Sequence, residues 1–431
     1  MSVPVHRRPF DAFLSHAHVD RAFVEELYRW LGQIAGLNIW YDAKKMTGGQ
    51  GIGSGLQAAI EECRGMLLIA SADAISRGWV KAELEIARVE QADSPDFRIV
   101  PIRIGGADVA SVIKGQTWIE VQQPELKPEV ASAILSAFYP GDNRPDPRTS
   151  RDVYFSGSWQ PADNASALAV SRSLCKSGFR LIGDAKDQKG FKSNRIQSII
   201  ESCGAFVGVI PYRDSNSASA SEKPYKYFLE EMDLALKAEL PTMIVADPRV
   251  RRSDGGDESW IRMEHQLSEC PQEVEQAMNA LWEQWSPPPR PHDIFIAMDL
   301  AMPGSLRDSD LRQLVERVTG MRTIVGNDIR EADLQSAIMQ AIKQAFLLIA
   351  DLSGSEDNTF NLDVCIEAGM ALASDTNLAL VAKGKPRSPP FMLRRAGQLT
   401  PYADEVEQLA VLHSIARDYR RRVINLELTR Y

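Results

Sequence analysis

Apolar residues in this chain fall into two alternating patterns. Short uninterrupted apolar runs end in small polar residues, and each is followed by apolar positions spaced three to four apart. The runs read as strands buried on both faces, and the spaced stretches as helices packed over them. Predicted strands cover Phe10–His16, Leu37–Tyr41, Met66–Ser71, Arg98–Ile104 and Thr117–Val121. Between them the pattern predicts a helix capped by Asp20 with Phe23, Leu27, Trp30 and Leu31 inward. Others run over Leu56–Glu62, from Trp79 with Val80, Leu84 and Ala87 on one face, and over Val130–Phe138. Strands alternating with helices imply an α/β fold with a parallel, doubly wound sheet.

The pattern restarts twice. Proline-rich breaks at Tyr139–Pro147 and Trp285–Pro291 precede Asp152-Val153-Tyr154-Phe155-Ser156 and Asp293-Ile294-Phe295-Ile296-Ala297, which match the opening Asp11-Ala12-Phe13-Leu14-Ser15. Each segment then has a second strand ending at Asp42, Asp184 or Asn327-Asp328. Each has a third apolar run and, after it, a glutamate with alanine four residues on: Glu83/Ala87, Glu231/Ala235, Glu367/Ala371. This order predicts three consecutive α/β domains, over 1–140, 150–285 and 291–431. Shared topology follows more firmly from it than shared chemistry, because Glu and Ala are common in helices. The stretch Trp260–Trp285 reads as helical, with Met263, Leu267, Val274, Met278, Leu281 and Trp282 inward. Tyr402–Leu428 reads as largely helical, and its Arg417, Arg420, Arg421 and Arg422 as dipole complements or solvated charge.

Composition narrows the function classes. The 431 residues carry a net charge of −9, which argues against a non-specific nucleic-acid or membrane-surface binder. No apolar run approaches the roughly 20 residues of a membrane span, and Met1–Pro9 has no apolar signal core. Cys63, Cys175, Cys203, Cys270 and Cys365 have neither paired nor metal-like spacing. Reduced thiols in a cytoplasmic protein are expected.

The chemistry-bearing residues of the first segment gather where strands end. Ser15 and His16 follow the first strand, Asp42 the second and Ser71 the third; Ser76, Trp79 and Glu83 lie at the next helix. Open α/β sheets bind ligands at the carboxyl ends of their strands. A carboxylate beside a tryptophan in an apolar cleft suits an oxocarbenium-like transition state, although position alone better fits a solvated first-turn glutamate favouring the helix dipole. The loop holding Gly48, Gly49, Gly51, Gly53 and Gly55 lacks the phosphate-loop and dinucleotide spacings, and reads as a lid or assembly loop. His16 and His18 lack ligand-spaced partners, so no metal is assigned. In the third segment Asp351, Asn361 and Glu367 surround one strand end and suit a ribose or base edge, with helix capping by Asn361 or Asp363 as the structural alternative.

Phe10–His16, the glycine-rich stretch after Asp42, Ser71 with Ser76-Arg77-Gly78-Trp79-Val80-Lys81-Ala82-Glu83-Leu84, and Val100-Pro101-Ile102 together resemble the boxes of the Toll/interleukin-1 receptor (TIR) domain family over roughly residues 8–138. Two departures are Val80, where the family usually has cysteine, and an unusually glycine-rich BB loop. Asp351-Leu352-Ser353-Gly354 with Asn361 and Glu367-Ala368-Gly369 more weakly resembles the nucleoside 2-deoxyribosyltransferase-like superfamily. The second segment keeps Ser156-Gly157-Ser158 and Glu231 but lacks the asparagine and glycine around the glutamate, and is expected to be non-catalytic.

With the repeat, the expected fold is three consecutive flavodoxin-like (TIR-like) domains, and the resemblance of the first implies cleavage of NAD+ at the nicotinamide–ribose bond. Glu83 would be catalytic, with Ser15, His16, Asp42, Ser71, Ser76 and Trp79 as substrate contacts. NAD+ would be a substrate, and no cofactor is implied. It further implies activation by homo-oligomerisation through the BB loop, Gly48, Gly49, Gly51 and Gly53. Analogy suggests a setting in bacterial antiphage immunity, with a nucleotide-type or phage-derived activator at the C-terminal domains. The rival expectations are a cyclic ADP-ribose-forming TIR enzyme, a nucleoside or nucleotide glycosidase acting through Glu367, and a TIR scaffold without catalysis.

Overall fold

The computed structural model describes residues 5, 8–41, 52–109, 117–139, 146–158, 164–184, 193–212, 226–252, 255–264, 266–299, 308–331, 333–354, 359–384, 390–394, 399–420 and 422–423. In the first unit β1 (Ala12–Ser15), α1 (Arg21–Arg29), β2 (Ile39–Trp40), α2 (Ile52–Glu61) and β3 (Gly65–Ala70) are followed by α3 (Ala72–Ser76), α4 (Gly78–Asp93), β4 (Arg98–Ile104), β5 (Ile119–Val121) and α5 (Pro128–Ala137). The second unit runs β6 (Arg151–Ser156), α6 (Asn164–Lys176), β7 (Phe179–Ile182), α7 (Ser193–Ile200), β8 (Phe206–Ile210), α8 (Lys226–Lys237), β9 (Thr242–Ala246), β10 (Ile261–Arg262) and α9 (Gln272–Gln284). The third runs β11 (Ile294–Ala297), α10 (Asp308–Thr319), β12 (Thr323–Val325), α11 (Leu334–Gln344), β13 (Leu347–Asp351), α12 (Leu362–Ala373), β14 (Asn377–Lys383), α13 (Phe391–Arg394), β15 (Leu399–Tyr402) and α14 (Glu405–Arg420).

Each unit has a five-stranded sheet, and the three orders are the same: β2-β1-β3-β4-β5, β7-β6-β8-β9-β10 and β12-β11-β13-β14-β15. Every recorded strand pairing within them is parallel. This is the flavodoxin-like order, whose switch point lies between the first and third strands of each unit.

The two-residue period of a strand sorts side chains onto opposite faces, and here it sorts them between two kinds of core. Phe13, Met66, Leu68 and Ala70 enter a core private to the first unit, together with Val80, Leu84 and Ala87 of α4. Val153 and Phe155 enter a second private core, and Phe295, Leu348 and Ala350 a third. Their neighbours Leu14, Leu67, Ile69, Tyr154, Ile294, Ile296, Leu347 and Ile349 all belong to one continuous core shared by the three units. The α14 helix lies in this common core through Leu409, Ala410, Leu412 and Ala416, and it packs against α5, α10 and the π-helical turn Trp30–Ile34 that continues α1.

Polar bonds reinforce the junctions. The Trp30 indole donates to the Val406 carbonyl at 2.9 Å, and Arg417 meets Asp11 at 2.9 Å. Between the second and third units, Arg180 grips Asp152 through Nε and Nη2, both at 2.6 Å, and also reaches the Gly320 carbonyl. Burial alone would raise the Asp152 carboxyl, but Arg180 and His292 overcome it and hold it at about 2.

Several sequence expectations change. Asp20 stands at the N-cap of α1 without capping it, because its carboxylate accepts the Ser71 hydroxyl at 2.6 Å. The helix expected from Leu56 begins at Ile52, since α2 takes up the last glycines of the preceding loop. The stretch Trp260–Trp285 opens as edge strand β10, with a helix only from Gln272, and Leu267 is 37% exposed. Tyr402 ends a strand, and the terminal helix spans only Glu405–Arg420; residues 424–428 lie outside the described residues. The basic residues at its end are not plainly solvated, because Arg417 pairs with Asp11, Arg420 lies over Tyr139 and Arg422 over Phe346. Arg421 lies outside the described residues. All five cysteines are free thiols, Cys63 and Cys203 buried and the rest half-buried.

Candidate active site

The switch point of the first sheet places Ser15 at the end of β1 and Ser71 just past β3. The chain after β3 turns through the short α3 before α4 begins, so Glu83 enters one turn inside α4 and points back at the β1 terminus. Ser15 Oγ donates to Glu83 Oε2 at 2.5 Å, and both residues are buried, at 1% and 3% exposure. A carboxyl group held this way has one oxygen fixed by a short hydrogen bond, and its position is set by the strand.

The other expected residues divide into two groups. His16 is half-buried beside this pair, 5.3 Å between ring centroids from Tyr41 and 6.4 Å, edge-on, from Trp79. Trp79 is 44% exposed, so it does not lie in a closed apolar cleft. Ser71 and Ser76 do structural duty. Ser71 Oγ caps α3 by accepting from Ala74 N and donates to Asp20, while Ser76 Oγ donates to the Asp73 carbonyl at 2.8 Å. Asp42, Gly48, Gly49 and Gly51 lie outside the described residues, and Gly53 falls in the first turn of α2.

In the sequence Asp20 stands only as a helix cap. The fold sets it against Ser71 and near His16; burial pushes its carboxyl up, and the Ser71 bond and the His16 charge pull it partly back. Its assignment as a cap hid it, and only the pairing of β1 beside β3 brings it to this edge.

The same strand-end position recurs in the other units with different surroundings. In the second, Glu231 is buried under the Tyr154 hydroxyl, which donates to it at 3.0 Å. Burial pushes Glu231 up to about 7. Ser156, matching Ser15, is close to the carboxyl, but its buried Oγ makes no hydrogen bond with good geometry. In the third, Ala297 stands where the others have serine, and burial together with the Asp363 charge raises Glu367 to about 7. Asp351 accepts from Ser353 Oγ at 2.6 Å, Tyr402 OH at 2.6 Å and Gln408 Nε2 at 2.7 Å, so its oxygens are committed to the fold. Asn361 caps α12 through Oδ1, as the structural alternative held, and its amide donates to Asp299 at 3.1 Å. Among the described residues no group of three His, Cys, Asp or Glu side chains is arranged to hold a metal ion, and no helix is long and apolar enough to cross a membrane.

Comparison with known proteins bears on the first unit. Residues 12–133 match a family model described as "TIR domain". No curated protein matches the chain. Among solved structures, the chain is similar to a metazoan TIR-STING receptor from C. gigas in complex with 2′,3′-cGAMP at 14% identity, covering 57% of this chain and 94% of that one, with a TM-score of 0.23. It is also similar to the C-terminal domain of glucosamine-fructose-6-phosphate aminotransferase from Francisella tularensis at 9% identity, covering 70% and 94%, with a TM-score of 0.21. At these TM-scores neither likeness bears on function.

Proposed function

Because the chain carries a TIR domain at its N-terminus, a family of signalling and NAD+-cleaving modules, we propose that it is an NAD+ hydrolase with Glu83 as the catalytic carboxylate. The observation that carries this reading is the buried Ser15–Glu83 pair at the carboxyl edge of the sheet. Nicotinamide leaves ribose as a neutral ring from a cationic one, so little acid assistance is needed. The enzyme's main task is to stabilise positive charge at the anomeric carbon. An ionised Glu83 does this while Ser15 holds its second oxygen. Water then adds to the anomeric carbon and gives nicotinamide, ADP-ribose and one proton.

Glu83 is almost enclosed in the single chain. Its exposure of 3% is consistent with a site completed only in a rearranged, self-assembled state. Under this reading the second and third units, joined to the first through α14, serve as an assembly or sensing platform for a nucleotide-type or phage-derived trigger. The antiphage setting belongs to the proposal. The Glu83→Ala variant is expected to lose nicotinamide release by more than about 100-fold with its circular dichroism unchanged. Retained turnover would sink the mechanism. Mass spectrometry of the products separates hydrolysis from cyclisation, and Glu367→Gln retaining full NAD+ cleavage would keep the third unit out of the chemistry.

A further inference from the structure

At the opposite edge of the first sheet, where β1, β3 and β4 begin, lies a partly enclosed cavity of about 70 Å³. Four arginines line it. Arg64 precedes β3 and Arg98 opens β4 in the first unit, while Arg417 and Arg420 come from the last turn of α14 in the third. Two carboxylates, Asp11 and Asp96, share the lining, which leaves a local excess of two positive charges in a chain whose net charge is −9.

Asp11 is already committed. It lies 3.5 Å from Arg64 Nη1 and accepts from Arg417 Nη2 at 2.9 Å, so one carboxylate serves two guanidiniums. The other Arg417 nitrogen, Nη1, is buried and has no hydrogen-bond partner among the described residues. A buried guanidinium N–H without an acceptor is unfavourable, and buried donors are nearly always satisfied. Arg417 and Arg420 are three residues apart on α14 and so share one face. The Arg420 guanidinium lies over the Tyr139 ring at 4.6 Å, which sets its plane beside the cavity.

The geometry points to a binding site for a small phosphate-bearing anion at this junction of the first and third units. Guanidinium forks match the oxygens of a phosphate, and the unsatisfied Arg417 Nη1 is a donor that such an anion would take up. Because the arginines come from two units, the ligand draws α14 onto the first sheet. The site is separate from Glu83, at the other ends of the same strands, and does not depend on NAD+ cleavage.

The test is calorimetric titration of the full-length chain at low ionic strength with inorganic phosphate and, separately, with adenosine 5′-monophosphate. Saturable binding that weakens with added salt is expected. Arg98→Gln, at an exposed position, should weaken it about tenfold, from the loss of one charge-assisted contact, with circular dichroism unchanged. Asp96→Asn should tighten it severalfold by removing a competing negative charge. Equal affinity for the two probes assigns the site to free phosphate, and tighter binding of the monophosphate assigns it to a nucleotide. No saturable binding of either probe at millimolar concentration overturns the proposal. So does binding that Arg98→Gln and Asp96→Asn both leave unchanged, since it would lie elsewhere.

Discussion

His413 makes the docking of α14 on the first unit sensitive to acid, with a size that can be worked out. The residue is fully buried. Its Nδ1–H donates to the Ala35 carbonyl at 2.7 Å, which leaves Nε2 to accept from the Tyr139 hydroxyl at 3.0 Å. Burial lowers its pKa from 6.5 to about 4; the Ala35 bond and Asp11 oppose this, while the charges of Arg417 and Arg420 add to it. The folded imidazole is therefore neutral where the unfolded one is protonated. Between pH 6.5 and about 4 the unfolded state binds more protons, so stability is fully present above 6.5 and is lost as pH falls through that window. At about 1.4 kcal/mol per pH unit the whole window amounts to about 3 kcal/mol, and lowering pH from 7 to 5 removes about 2 kcal/mol. Urea unfolding followed by tryptophan fluorescence across pH 4.5–7.5 measures this, since Trp30 reports the same interface. In His413→Gln, which keeps a donor and an acceptor but does not titrate, the slope of stability against pH should fall by nearly one proton. Equal slopes in the two proteins would refute the argument, whatever His292 and the carboxylates contribute to both.

Three further outcomes are expected. Under the proposed NAD+ cleavage, Ser15→Ala removes the short bond that fixes Glu83 and should lower kcat for nicotinamide release by about 10- to 100-fold; an unchanged kcat would show that Ser15 does not position the carboxylate. Asp351→Ala strands the Gln408 amide and leaves the Tyr402 hydroxyl only Ser353 Oγ, at 3.2 Å, in the buried knot that ties β15 and α14 to β13. It should cost about 3 kcal/mol or more in denaturant unfolding, and a loss below about 1 kcal/mol would mean that the knot relaxes. Gly204→Ala would drive a Cβ into the Ser286 carbonyl and the Trp285 indole, with an expected loss of about 1–3 kcal/mol by the same measurement. A neutral result would mean that the linker against β8 gives way.

The threefold repeat was legible in the sequence because parallel strands buried on both faces leave continuous apolar runs, and helices leave a different period. Three openings of Asp, aromatic and small residues then fixed three sheets, and the boxes from Phe10–His16 to Glu83 fixed the identity of the first. The short edge elements were not legible. Ile261–Arg262 has too few residues for its pattern to show, and it became a strand because β9 offered an edge. The chemistry was legible only as a set of candidates. Ser71, Ser76 and Asn361 carry the side chains of binding residues, and folding spends them on helix caps and a turn carbonyl. Asp20 read as a cap and became a partner of Ser71 once β1 lay beside β3. Glu83, Glu231 and Glu367 occupy one place in the repeat, and only packing set Glu83 against Ser15 and Glu231 against Tyr154. A pattern of residues records which face each side chain takes, because that depends on local backbone geometry. Which hydroxyl meets which carboxylate, and which unit's arginines line a cavity beside another unit's strands, depends on contacts between residues as far apart as Asp11 and Arg417, and the tertiary structure alone decides those.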